Sequence, residues 1–481
     1  MNRKMVFYTT GHILILEAVL FVLPLLCSVI YRETSSVIAF AISAGIALGI
    51  GLVMSALSHT NNKLIFAKEG FAIVALAWFA VSAVGALPFV IGKFIPSYVD
   101  ALFETVSGFT TTGATILSGA EIEAMSHGML FWRSFTHWIG GMGVLVFLMA
   151  ILPTDSGRAI HIMRAEVPGP IVGKIVPKIR ETAKILYLIY IGMTVIMVGF
   201  LLAGKMPLFD SLVHTFGTAG TGGFGIKSDS IASYSPYLQW VITVFMLLFG
   251  INFNLYFLIL VGKFTSALKS SELWCFLGIA AVSIGAIALN VSHLFSSVGE
   301  TIRHSAFQVS SIISTTGFTT VDINAWPGFS KTLLLILMFI GSCAGSTAGG
   351  LKVSRVMLLV KSVKADLKKM LRPRSVNVVK LEGKPVDDGT IHSATIYLTT
   401  YFIIFLTLIL FVSIDGFNIE TTLSSVTSCL NNIGPAYGDA ASNYAGFSGM
   451  SKILLSLAML IGRLEIFPIL LALSPATWRK K

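Results

Sequence analysis

Four short stretches of this chain combine glycine with small polar residues in a way that suits a bare cation. They are Phe109-Thr110-Thr111-Thr112-Gly113-Ala114-Thr115, Gly220-Thr221-Gly222-Gly223-Phe224, Thr315-Thr316-Gly317-Phe318-Thr319 and Asn432-Ile433-Gly434-Pro435-Ala436. Glycine reaches backbone angles that turn a carbonyl inward without a Cβ penalty, and a ring of carbonyls replaces the hydration shell of an alkali ion. Thr111, Thr112, Thr221, Thr315 and Thr316 add hydroxyls or support the backbone. Each stretch interrupts apolar sequence, where irregular backbone is tolerated only if it is buried in protein or lines a watery path. One such stretch would be read as helix packing through small residues. Four, each preceded by a short apolar segment on the same side, point to one fourfold pore. With glycines 113, 222, 317 and 434 aligned the spacing is uneven, so the repeat is diverged rather than tandem.

The elements that must position these loops are membrane helices. Of 481 residues, 55% are hydrophobic and 12% charged, and the mean hydropathy is +0.83. Segments of about 20 apolar residues, each long enough to cross roughly 30 Å of hydrocarbon, recur throughout. The expected fold is an all-α polytopic membrane protein. A two-helix N-terminal hairpin (1–58, helices over 12–31 and 36–57) precedes four pseudo-symmetric repeats of helix, half-span, loop and helix around one central pore, at 59–155, 156–265, 266–375 and 376–481. The half-spans are 98–110, 207–218, 300–314 and 420–430, too short to cross. The return spans are 128–152, 238–261, 331–360 and 452–473, which makes ten crossings in all. No convincing cleavage site follows Arg3 and Lys4, so the first helix is expected to be retained. Cys27, Cys275, Cys343 and Cys429 lack the spacing of a disulfide framework or metal site.

The net charge of +11 is distributed as a membrane topology requires, which excludes nucleic acid as the partner. Arg158, Arg164, Lys174, Lys178, Arg180 and Lys184 follow the first repeat, Lys263 and Lys269 the second, and ten basic residues from Lys352 to Lys384 the third; Arg479, Lys480 and Lys481 end the chain. These loops and both termini are expected in the cytoplasm of a cell membrane. The opposite loops carry Asp100, Glu104, Glu121, Asp210, Glu300, Asp322, Glu420 and Asp439, an acidic mouth that would concentrate cations. Asp100, Asp210, Glu300 and Glu420 also sit at the N-terminal ends of the half-spans. The negative C-terminal dipole ends then point at the pore centre, where they favour a cation.

Two features interrupt the apolar spans. Arg463 lies about twelve residues into the last span, roughly 18 Å deep. A central arginine costs about 2.5 to 3.5 kcal/mol on insertion scales, so it should face a polar interior. An ion pair with Glu465 is disfavoured because residues two apart on a helix do not face each other, which leaves the pore or a pair with Glu17. The second is Gly341-Ser342-Cys343-Ala344-Gly345-Ser346-Thr347-Ala348-Gly349-Gly350, which should break the third return span while the other three stay more continuous. Close packing through small residues is the alternative. Lys352 and Arg355, just beyond, are placed to couple this loop to the cytoplasmic side.

The loops, together with Trp132-Arg133-Ser134-Phe135-Thr136-His137-Trp138-Ile139-Gly140-Gly141-Met142-Gly143, resemble the Trk/Ktr/HKT superfamily of potassium transporters over essentially the whole chain. The N-terminal hairpin favours its longer, TrkH-like branch. The resemblance implies a fold related to potassium channels, with K+ held by carbonyls at and just before the filter glycines. It assigns the filter to Thr111, Thr112, Gly113, Gly220, Thr221, Gly222, Thr315, Thr316, Gly317, Asn432, Ile433 and Gly434. Gly113 stands where some sodium-preferring plant relatives have serine, which supports potassium. It implies gating by the intramembrane loop Gly345, Ser346, Thr347, Ala348, Gly349 and Gly350, and a barrier at Arg463. It further implies a homodimer and a TrkA-like cytosolic nucleotide-binding regulator docking on 361–374 and 158–184, surfaces that also suit anionic membrane lipid.

No phosphate-binding loop, dinucleotide fingerprint or nucleophile motif stands in a cytoplasmic segment, so neither an enzyme nor a bound cofactor is expected. The expected function is potassium uptake across the cell membrane through a selective, gated pore. The alternative is potassium symport with H+ or Na+ by alternating access, which predicts inverted repeats and buried midplane carboxylates. Here the repeats share one orientation, and Glu17 and Glu465 are the only candidates. A non-conducting scaffold would leave the four loops and Arg463 unexplained.

Overall fold

The computed structural model describes residues 1–58, 66–143, 179–374 and 377–479. The boundary at 59, the boundary between 155 and 156, the far half of the first return span and the basic residues 158–178 and 480–481 lie outside the described residues. The N-terminal hairpin consists of α1 (Arg3–Leu20) and α2 (Val22–Ile30), which together make one span, and α3 (Thr34–Leu57). The first repeat comprises α4 (Ala67–Gly85), α5 (Leu87–Ile91), α6 (Tyr98–Phe109), α7 (Gly119–Glu123) and α8 (His127–Gly141). The second comprises α9 (Ile179–Ala203), α10 (Leu208–Ala219), α11 (Pro236–Phe249), α12 (Phe253–Leu260) and the short α13 (Phe264–Leu268). In the third are α14 (Ser271–Val291), α15 (Val298–Ile313), α16 (Gly328–Ile340) and α17 (Val353–Leu371). A two-residue-strand hairpin, β1 (Lys380–Leu381) against β2 (Lys384–Pro385), precedes the fourth repeat of α18 (Asp388–Val412), α19 (Ile419–Leu430), α20 (Gly449–Arg463), α21 (Phe467–Leu473) and α22 (Pro475–Trp478).

Among the described residues, six spans are long and apolar enough to cross a membrane, and a seventh if the bent pair α11 and α12 is one span. Their apolar faces point outward, as lipid permits and water would not: within α14 and α18 only 28% of the most apolar window is buried. The hairpin packs on the first repeat, with α1 against α3 and α4, and α2 against α8. Gly11 and Gly51 meet where α1 crosses α3, and a Cβ on either would stand 2.8 Å from the other's carbonyl oxygen. Close crossing through small residues is how helices associate where lipid removes the hydrophobic drive.

The half-helices α6, α10, α15 and α19 each begin with an acidic first turn, and α6, α15 and α19 also with a polar cap, whereas α10 starts behind Pro207. Ser97, Ser297 and Asn418 accept backbone hydrogen bonds from Asp100, Glu300 and Thr421, while Asp100, Asp210, Glu300 and Glu420 sit in the positive first turn. Each half-helix packs between its own return helix and that of the preceding repeat: α6 lies between α8 and α20, α10 between α11 and α8, α15 between α16 and α11, and α19 between α20 and α16. The order closes on itself, so the four repeats form one ring.

The return spans depart from expectation. The third breaks at 341–352 as the Gly/Ser/Thr run requires, but the second also breaks, bending by 91° between α11 and α12. The freed backbone groups there are satisfied by the third repeat's broken segment: the Cys343 amide donates to the Gly250 carbonyl at 3.1 Å and the Phe253 amide to the Gly345 carbonyl at 3.0 Å. The fourth breaks at Leu464–Ile466, where Glu465 and Ile466 hold φ of +54° and +68° ahead of Pro468. At the second break the neighbouring third repeat supplies the missing hydrogen bonds, which its own apolar sequence could not reveal, whereas at the fourth the backbone bonds stay local, from Glu465 to Gly462 and from Ile466 to Ile461.

Candidate ion-filter site

At the C-terminal ends of α6, α10, α15 and α19 the chain adopts one backbone conformation four times. The first left-handed residue is Thr111, Thr221, Thr315 or Asn432, with φ of +56°, +55°, +56° and +56°. Two residues later comes a left-handed glycine, Gly113, Gly223, Gly317 or Gly434, with φ of +81°, +79°, +84° and +101°. The amide of the intervening residue returns to its own half-helix in each copy: Thr112 to Ser107, Gly222 to Gly217 and Thr316 to Ser311 at 2.8 Å, and Ile433 to Ser428 at 3.0 Å.

This geometry corrects the register of the second loop. Gly223, not Gly222, matches glycines 113, 317 and 434; Gly222 stands with Thr112, Thr316 and Ile433. The sequence leaves this register open because the second loop has glycine at two successive positions, Gly222 and Gly223. Gly222 lacks a side chain for a separate reason: its Cβ would lie 2.1 Å from His137 Nδ1. His137 fills the space that a threonine occupies in the first and third loops.

The loops close a ring. A Cβ on Gly113 would lie 1.9 Å from the Gly222 carbonyl oxygen, one on Gly223 2.0 Å from that of Thr316, one on Gly317 2.2 Å from that of Ile433, and one on Gly434 2.6 Å from that of Thr112. Each glycine thus makes room for the carbonyl of the next repeat, and the fourth returns to the first. Among the described residues none of these four carbonyls accepts a hydrogen bond. Buried carbonyls are almost always paired, so an orphaned ring requires a cation or water. The amide of Asn432 ties the last loop to the first, donating to Thr112 Oγ1 at 3.0 Å and to the Met459 carbonyl at 2.8 Å.

The segment 341–352 lies against this ring. The Gly349 amide donates to Thr315 Oγ1 at 2.8 Å, and a Cβ on Gly349 would reach the Asn431 carbonyl oxygen at 2.4 Å. Glu272, at the start of α14, anchors it by accepting the amides of Ala344 at 2.8 Å and Ser354 at 3.0 Å. The buried Lys352 ammonium donates to the carbonyls of Ala348 and Gly349, and it was not recognised from sequence as part of this loop's interior.

Arg463 is buried and pairs with neither acid considered for it. Its guanidinium donates to the Thr347 carbonyl at 2.7 Å, to the Gly141 carbonyl at 2.7 Å and to the Gly140 carbonyl, so it clamps the end of α8 to the broken third span. Glu465 instead binds Arg355 at 2.8 Å. The Glu17 carboxylate meets no hydrogen-bond partner among the described residues. It faces Gly85, beside Thr105 and Phe109 of the first half-helix.

The acidic mouth is only partly free. Asp100 binds Lys452 at 2.6 Å and Glu420 binds Lys331 at 2.9 Å. Glu104 is not at the mouth: it is fully buried behind the first loop, paired with Arg133 at 2.6 Å. An isolated acid in a half-span could not be told from a surface acid until its partner, 29 residues on, was known.

The comparisons agree with this architecture. A family profile described as TrkH, cation transport protein, matches residues 36–480. The Trk system potassium uptake protein TrkH of Salmonella typhimurium is 36% identical over 487 residues, covering 100% of both chains. The Trk system potassium uptake protein TrkG of Escherichia coli is 32% identical, covering 99% of each. The crystal structure of the potassium transporter TrkH from Vibrio parahaemolyticus superimposes with a TM-score of 0.90 at 31% identity, covering 100% of both chains. With its four-repeat ring and multi-pass apolar helices, this chain belongs to the TrkH family of cation transport proteins.

Proposed function

We propose that this protein is the membrane subunit of a Trk-type potassium uptake system and passes K+ through a selective, gated pore. The observation that carries this reading is the closed ring of four carbonyls, from residues 112, 222, 316 and 433, left without hydrogen-bond donors and made possible by glycines at 113, 223, 317 and 434. The K+ sites are assigned to Thr111–Gly113, Thr221–Gly223, Thr315–Gly317 and Asn432–Gly434, with Gly220 as the residue that enters the second loop. Four half-helix dipoles add their negative ends at the ring. Gly345–Gly350 obstructs the path beside the filter and Arg463 places a positive barrier there. The repeats at 59–155, 156–265, 266–375 and 376–481 are the units of the pore. Both termini and the basic loops face the cytoplasm, where α17 meets a TrkA-like regulator, and two copies form a homodimer.

Coupled symport is less well supported. The repeats run in one orientation, and Glu465 is held by Arg355. Ion flux in liposomes holding the purified chain, with K+ or Na+ gradients and an imposed potential, tests the reading. K+-selective flux down its electrochemical gradient is expected. Uphill flux that needs an H+ or Na+ gradient would overturn it.

A further inference from the structure

The first half-helix carries an acid five residues before its end, Glu104. At the same register the other three carry His214, Gln308 and Ser425. Among the described residues, only in the first repeat does this site hold an ion pair. Glu104 accepts from Arg133 Nε at 2.6 Å, from the Thr115 hydroxyl at 2.9 Å and from the Ile116 amide at 3.0 Å. The rest of the guanidinium joins the first loop to the second repeat. Nη1 donates to the Gly225 carbonyl at 3.2 Å, Nη2 to Thr115 Oγ1 at 3.2 Å, and the guanidinium plane lies 3.9 Å over the Phe224 ring. Both side chains are at most 2% exposed.

The other three positions are built differently. His214 meets the Tyr234 hydroxyl at 3.1 Å, while the Gln308 amide meets no hydrogen-bond partner among the described residues and position 425 carries only a serine hydroxyl. The seam between the first and second loops is therefore the one braced by charge. Gly225 and Phe224 directly follow Gly223, and Thr115 lies two residues past Gly113, so the brace grips both loops immediately beyond their left-handed glycines. A bare guanidinium this close to the carbonyl ring would repel a cation. Glu104 cancels that charge, so the pair fixes position without adding a barrier.

We infer that Arg133, paired with Glu104, is a positioning residue that sets the spacing of the first and second filter loops and through it the preference for K+ over Na+. The inference rests on the selective-pore reading. A planar fork is needed to reach Glu104, Thr115 and Gly225 together, and lysine offers only a point donor.

The test uses the purified full chain. Two quantities are read for wild type, Arg133→Lys and Thr115→Val: the K+/Na+ permeability ratio in liposomes, and the ratio of K+ to Na+ concentrations that give equal thermal stabilisation in detergent. Arg133→Lys is expected to lower both ratios about tenfold, the size of a 1.4 kcal/mol change in discrimination, chiefly by admitting Na+. Thr115→Val, which leaves the ion pair but unties the loop, should lower them about threefold. Ratios within about twofold of wild type in the folded variants, alongside a lowered melting temperature, would make the pair purely structural and overturn the inference. If Arg133→Lys cannot be recovered folded, Thr115→Val decides by the same two outcomes. A wild type with no K+ preference would sink the selective-pore reading itself, and this inference with it.

Discussion

A Cβ on Gly223 would strike the Thr316 carbonyl as one on Gly113 would strike that of Gly222, and both residues hold φ near +80°. The two glycines should therefore respond alike. Gly223→Ser and Gly113→Ser are each expected to cut the K+/Na+ preference at least tenfold in a liposome flux assay. Gly222 obeys a different constraint, since its φ is not in the left-handed region and its limit is the His137 ring. Gly222→Ala alone should lower K+-dependent thermal stabilisation, and adding His137→Ala should restore part of it, a non-additivity of about 1 kcal/mol or more in a double-mutant cycle. Additive losses would place the restriction in the backbone instead. At Arg463 the expected change has the opposite sign. Arg463→Ala removes a positive charge and three carbonyl clamps, so K+ flux through the purified chain should rise severalfold, and an unchanged or lower rate would count against a barrier role.

At the scale of elements, the break between α20 and α21 is held rather than relaxed. Glu465 and Ile466 sit consecutively in the left-handed region, a placement that costs about 1 to 3 kcal/mol each and is harshest for a β-branched side chain. What holds Glu465 is Arg355 on α17, at 2.8 Å, with the guanidinium also stacked 3.9 Å over Tyr397. The basic α17 is thus joined directly to the segment that carries Arg463, two residues upstream of Glu465. Glu465→Gln should uncouple them: basal K+ flux is expected to change while the increment produced by the regulatory subunit shrinks, measured in liposomes with and without that subunit. A regulator response equal to wild type would show that α17 acts by another route. The cost to stability should be about 3 kcal/mol, because Arg355 would be left buried without its partner charge.

For the whole molecule, each half-helix wedged between two return helices makes the ring a property of all four repeats at once. A membrane potential is worth about 2.3 kcal/mol per charge per 100 mV, which supports roughly fortyfold K+ accumulation without a coupled ion. Uptake should accordingly follow voltage in liposomes and stay the same when the H+ gradient is collapsed at constant potential. The C-terminal half of α17 presents Lys364 and Lys368, exposed beside a groove of about 620 Å³ that Lys361 and Lys380 also line. Replacing both exposed lysines with glutamine should weaken binding of the TrkA-like regulator and flatten its salt dependence in a pull-down across ionic strength.

Sequence alone determined the features governed by local chemistry. Apolar run length marked the spans, short apolar segments with first-turn acids marked the four half-helices, and glycine-threonine stretches marked the four loops that follow them, because each depends on residues close together in the chain. Tertiary structure decided what depends on neighbours from elsewhere. The register of the second loop turned on His137, the breaks in the second and fourth return spans on hydrogen bonds from other segments and on Arg355, and the burial of Glu104 on Arg133. In lipid every freed backbone group and every buried charge must find a partner inside the protein, and which partner it finds is set by how the four repeats close around one axis.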